Sequence, residues 1–110
     1  MKEQDKSSYQ VLRTDQFEEE LRKILLYIAD NAQSVEPALH VLDDVERAVC
    51  SLAEFPGRGA LPRDRRLRAL NYRFLCVDSY LLFYRCDEKT NIVYVLAIVH
   101  TKQQYTNILK

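Results

Sequence analysis

The spacing of apolar residues changes once along this chain, and that change limits the folds it can adopt. Between Phe17 and Leu52 apolar positions recur every three or four residues: Phe17, Leu21, Ile24, Leu25 and Ile28, then Val41, Leu42, Val45, Ala48, Val49 and Leu52. Each set makes one apolar side of a helix. From residue 69 the pattern becomes three short runs, 69–77, 80–86 and 92–99, rich in Leu, Val, Ile, Tyr and Phe. These read as strands, and their short connections make them antiparallel neighbours. A further alternating segment, 8–13, predicts a strand ahead of the helices, with Tyr9, Val11 and Arg13 on one side.

Local signals punctuate these elements. Asp15 with Glu18 is the expected capping box of the first helix, which should stop near Asn31. Ser34 is expected to cap the second, with Pro37 tolerated in its first turn. Phe55-Pro56-Gly57-Arg58-Gly59 ends the hairpin. The predicted fold class is α+β, β-α-α-β-β-β: a helical hairpin packed on one face of a small, mostly antiparallel sheet. The pattern also allows a short helix over 102–109. No linker or repeat divides the chain, so 1–110 reads as a single domain. A two-layer sandwich should leave the other sheet face uncovered and free for function.

Charge narrows the function. Residues 1–54 carry six Lys/Arg against twelve Asp/Glu, and residues 55–110 carry ten against four. Arg58, Arg63, Arg65, Arg66, Arg68 and Arg73 stand against one acid, Asp64, so 58–73 is expected to be a basic loop. Such a loop suits phosphate or an acidic peptide equally well, or is simply solvated surface. Cys50, Cys76 and Cys86 lack zinc or disulfide spacing and are expected to be mostly buried thiols. His40 and His100 lie far apart, so no metal site and no cofactor are expected. The N-terminal residues show no secretory pattern and no run is long enough to span a bilayer, so the expected compartment is the cytoplasm, away from membranes.

The stretch Tyr72-Arg73-Phe74-Leu75-Cys76-Val77-Asp78-Ser79-Tyr80-Leu81-Leu82-Phe83-Tyr84-Arg85 resembles the central hairpin of RelE/ParE-superfamily toxins. In that family a tyrosine and a basic residue open a strand, and Tyr-x-x-x-Tyr follows the turn. Residues 92–99, ending at His100 and followed by Tyr105, resemble the family's last strand. The resemblance implies the growth-arresting toxin of a type II toxin–antitoxin module, neutralised by a cognate antitoxin. RelE-like relatives cleave ribosome-bound mRNA, whereas ParE-like relatives inhibit DNA gyrase; a degenerate member would only bind its antitoxin.

For cleavage, the expected catalytic set is Arg73, Arg85, His100 and Tyr105, acting without metal. His100 would serve as acid–base, and Arg63, Arg65, Arg66 and Arg68 would hold phosphate. Against that reading, Leu75 and Leu81 occupy positions where the family's ribonucleases carry basic residues. If Val77-Asp78-Ser79 forms a three-residue loop, Arg73, Leu75, Leu81, Phe83 and Arg85 share the open face. Leu75, Leu81 and Phe83 would then be a partner-binding groove.

Overall fold

The computed structural model describes residues 8–102. Its element order is β1 (Gln10–Arg13), α1 (Asp15–Ala32), α2 (Glu36–Ser51), α3 (Arg65–Ala69), β2 (Tyr72–Val77), β3 (Tyr80–Asp87) and β4 (Ile92–His100). The strands form one sheet in the order β1-β4-β3-β2. β2, β3 and β4 are an antiparallel meander, and β1 lies parallel to β4. The expected α+β architecture is present, and α3 is an addition within the stretch read as a basic loop. Tyr105 and almost all of 102–109 lie outside the described residues. Among the described residues, no helix is long and apolar enough to cross a membrane, and no His/Cys/Asp/Glu cluster is arranged to hold a metal.

The predicted capping box gives way to a cap one residue earlier. Thr14 is the N-cap of α1, and its Oγ1 accepts the Phe17 N–H at 3.1 Å. Glu18, displaced from the capping position, pairs with Arg13 at 2.9 Å. Val35 is the N-cap of α2, while Ser34 Oγ accepts the Glu36 N–H from one residue outside. Gln33 closes α1 in the left-handed region, its N–H reaching the Ala29 and Asp30 carbonyls.

The hairpin lays its apolar stripe on the sheet. Phe17, Leu21, Val45, Val49 and Leu52 pack with Leu75, Val77, Leu82, Tyr84, Val93, Val95 and Ile98 in the main core. A second cluster of Leu81, Phe83, Ala97 and Val99, with Phe74 against it, lies on the opposite sheet face. Its members are at most 9% exposed, so the middle of that face is not the uncovered groove expected. The thiols also depart from expectation: Cys50 and Cys76 are exposed and Cys86 is half-buried.

Tyr84 fastens the loop after α2 to the core. It is fully buried, its hydroxyl donates to the Pro56 carbonyl at 2.7 Å, and it accepts the Gly59 N–H at 2.9 Å. Burial pushes its phenol pKa above the ordinary value, so it remains a donor. A Cβ at position 59 would sit 2.6 Å from that hydroxyl, which explains the glycine. The same loop closes on β2, where Ala60 and Phe74 exchange both backbone hydrogen bonds.

Two expectations follow for equilibrium denaturation. Tyr84→Phe leaves the Pro56 carbonyl and Gly59 N–H without their partner and should cost about 1–3 kcal/mol. Leu75→Ala should cost about 2–5 kcal/mol as a core truncation, and Cys76→Ala should stay within about 0.5 kcal/mol. The reverse ranking at 75 and 76 would mean that β2 presents its other face to the helices.

Candidate functional site

Two local features decide which side chains reach the face away from the helices. The first is the β2–β3 connection, a two-residue loop of Asp78 and Ser79 that pairs Val77 directly with Tyr80. Asp78 takes the left-handed conformation at φ 54°, which a short polar side chain tolerates. The three-residue loop used in the sequence reading is therefore one residue too long, and β2 is turned over. Leu75 faces the helices in the main core, and Arg73, paired with Tyr84, shares that side. Leu81 and Phe83 do lie on the far face, where they are packed side chains rather than an exposed groove. Tyr72, Phe74 and Cys76 replace Arg73 and Leu75 beside them.

The second feature is a bulge in β4. Phe83 pairs with Ala97 and Tyr84 with Val95, so Leu96 is the extra residue. Thr14 Oγ1 stands over it, donating toward the Val95 and Leu96 carbonyls at 3.1 and 3.2 Å. Beyond the bulge the alternation resets, and Ile98 and His100 turn toward the helices. His100 meets the edge of the Tyr80 ring at 5.5 Å, and its Nδ1 accepts the Lys102 N–H at 3.2 Å. With Glu20, Lys23, Ile24 and Tyr27 of α1 it lines a cleft of about 340 Å³.

Arg73 and Arg85 stand at the other end of the sheet. Both line a half-open cleft of about 540 Å³ with Leu61, Asn71, Cys86, Asp87, Glu88 and Lys89. Arg73 Nη1 donates to the Gly59 carbonyl at 2.9 Å, and the Arg85 guanidinium lies over the Tyr94 ring at 5.2 Å. Burial, followed by the charges of Glu88 and Asp87, raises the Cys86 thiol pKa, so this cysteine is no activated nucleophile. His100 is paired with Tyr80, five residues from Arg85 along β3, or about 17 Å at the usual strand rise. It also lies on the opposite face.

The remaining arginines are placed by α3. Asp64 caps this helix, its Oδ1 accepting the Arg66 and Leu67 N–H groups, and buried Leu67 anchors it. Although partial desolvation opposes it, those bonds and the Arg66 charge hold the Asp64 carboxyl below its ordinary pKa. Arg63, Arg65, Arg66 and Arg68 all point into solvent. The arginine-rich segment therefore presents an exposed basic ridge, whose flanks at Leu61 and Asn71 border the arginine cleft.

Tyr72 and Tyr94 escaped the sequence reading as site residues. The Asp78-Ser79 turn already carried the information for Tyr72, because a two-residue loop places it directly across from Arg85. Tyr94 had no comparable signal; its role depends on the register between β3 and β4.

Residues 11–105 match the family described as the ParE toxin of the type II toxin–antitoxin system parDE. A chain in the structure of the toxin–antitoxin complex RelBE2 from Mycobacterium tuberculosis is 25% identical, with a TM-score of 0.57 over 84% of this chain and 91% of that one. A chain of the chromosomal ParDE system from P. aeruginosa is 17% identical, with a TM-score of 0.68 over 86% and 97%, and shares the fold. No curated protein sequence matches. The family match covers all three helices and all four strands save the first residue of β1, and the chain belongs to the ParE toxins of type II toxin–antitoxin systems.

Proposed function

We propose that this toxin arrests growth by binding a protein target, in the manner of ParE-like inhibition of DNA gyrase, and not by cleaving ribosome-bound mRNA. The observation that carries this reading is the separation of His100 from Arg85 by about 17 Å along the strand and by the thickness of the sheet, while Arg73, on the same side as His100, stands near the opposite end of the sheet across from Tyr84. General acid–base catalysis needs the proton-transferring group within hydrogen-bond reach of the reacting oxygen, while a cation holds the phosphate alongside. Arg73 is further committed to the Gly59 carbonyl, and Leu75 to the core. What this end of the sheet offers instead is half-buried aromatic surface at Tyr72 and Tyr94, an arginine cleft and the α3 ridge at its border, which suit a protein surface. The cognate antitoxin would neutralise the toxin by occupying part of that surface, in the bacterial cytoplasm.

Induced without its antitoxin, the toxin should stop DNA synthesis before translation, and the purified chain should inhibit supercoiling by gyrase. His100→Ala should change this inhibition by no more than about twofold, against the roughly hundredfold loss caused by removing a general acid–base. Early loss of translation with mapped mRNA cuts, abolished in His100→Ala, would overturn the proposal. Unimpaired growth at verified expression of folded protein would leave a chain that only binds its antitoxin.

A further inference from the structure

Four residues, one from each strand, stand in a single line across the face away from the helices. Leu12 pairs with Tyr94, Tyr94 with Arg85, and Arg85 with Tyr72. The line is continuous because all three pairings fall in register, below the bulge. Arg85 lies between two tyrosines and over the ring of one, at a distance where cation–π attraction operates. Tyr72, Arg85 and Tyr94 are each half-buried, and Leu12 is 38% exposed.

Arg13, Arg73 and Arg85 are the half-buried arginines among the described residues. Arg13, Arg22, Arg47 and Arg66 all have a carboxylate within 4 Å. Among the described residues, neither Arg85 nor Arg73 has one. A partly desolvated guanidinium without a counter-charge gains more from an arriving anion than a solvated one does, because less water must be displaced. Its planar array of N–H donors matches the two oxygens of a carboxylate.

We propose that this row is a carboxylate-binding site, which seats one Asp or Glu side chain of a protein segment on Arg85 while apolar neighbours of that side chain rest on Tyr72, Tyr94 and Leu12. The charge of the adjoining cleft selects the ligand. Arg73, Arg85 and Lys89 supply three positive charges, and Asp87 and Glu88 remove two. Within the cleft the remaining single positive charge balances one carboxylate, and the exposed Arg63, Arg65, Arg66 and Arg68 beyond its rim attract anions of either kind. A nucleic-acid strand would bring successive phosphates against Asp87 and Glu88, and those contacts are repulsive. The apolar walls point the same way, since an acidic residue flanked by leucine or valine fills them as a sugar–phosphate chain does not. The site is independent of which macromolecule the toxin poisons.

The Arg85 Nε–Hε resonance of the ¹⁵N-labelled full chain reports on the site, assigned by its disappearance in Arg85→Lys. Acetyl-Leu-Glu-Leu-amide should shift it and the Tyr94 ring signals saturably, whereas acetyl-Leu-Gln-Leu-amide should need at least tenfold more peptide. Inorganic phosphate and a single-stranded dT dodecamer should give weaker half-saturation than the Glu peptide. In Arg85→Gln, with a native amide spectrum, the preference for Glu over Gln should vanish. Equal response to the two peptides on the unmodified chain would overturn the proposal, as would tighter binding of the oligonucleotide or no saturable shift at all. The peptide comparison needs no mutant and stands even if a substitution at Arg85 impairs folding.

Discussion

The arrangement of both sheet faces depends on one hydroxyl. Thr14 Oγ1 accepts the Phe17 N–H in the first turn of α1 and at the same time faces the Val95 and Leu96 carbonyls at the β4 bulge. The Thr14 N–H also reaches the Val95 carbonyl at 3.1 Å. A bulge leaves backbone groups without ladder partners, and burying them unpaired would cost free energy. Here the residue that starts the helix supplies the missing bonds, so helix position and bulge position are set together. Just beyond, Glu20 on the next turn of α1 accepts the Ile98 N–H at 2.9 Å, on the part of β4 that extends past short β1. The edge is covered by side chains where no strand covers it.

The functional consequence is a division of chemistry between faces. Strict alternation from Val93 and Val95 would send residue 100 to the face of Arg85 and Tyr94. The inserted Leu96 reverses that parity, and His100 ends against Tyr80 and α1. At the opposite end, Tyr84 holds the loop whose Gly59 carbonyl takes Arg73, leaving Arg85 as the arginine that lies over the far face. The bulge separates the histidine from Arg85, and the tyrosine separates one arginine from the other.

Much of this fold is legible in the residues. Both helical stripes, the breaker at 55–59 and the three apolar runs correspond to observed elements, because burial of an amphipathic side dominates local preference. The site was less legible, for a single physical reason. In a strand the side chain's face depends on an odd or even count, and two counts were hidden. Counting Val77 into the turn put Arg73 and Leu75 on the wrong side; the two-residue turn puts Tyr72 and Phe74 there instead. A bulge has no reliable mark in an apolar run such as 92–99, so the face of His100 could not be read. Leu81 and Phe83, beyond the turn and before the bulge, were placed on the correct face. Their burial was not foreseen, because alternation tells direction and not cover.

Parity also bears on how one scaffold hosts different poisons. On this backbone, position 81 looks out on the far face and position 75 looks into the core. A basic residue at 81 would stand among Phe83, Ala97 and Val99, within the strip that joins the two ends of the sheet. Here that strip is apolar, buried and tightly packed, and Arg85 stands beyond it at the end of the sheet whose cleft the α3 ridge borders. A ligand that must span several phosphates would find no cation among the residues of that strip. A protein segment meets the Arg85 end on favourable terms, because it can place a carboxylate and apolar side chains a few ångströms apart, against Arg85 and its tyrosine neighbours. The leucine at 81 therefore does more than omit a catalytic cation: it belongs to a second small core that closes the middle of the face and leaves the Arg85 end open to a partner.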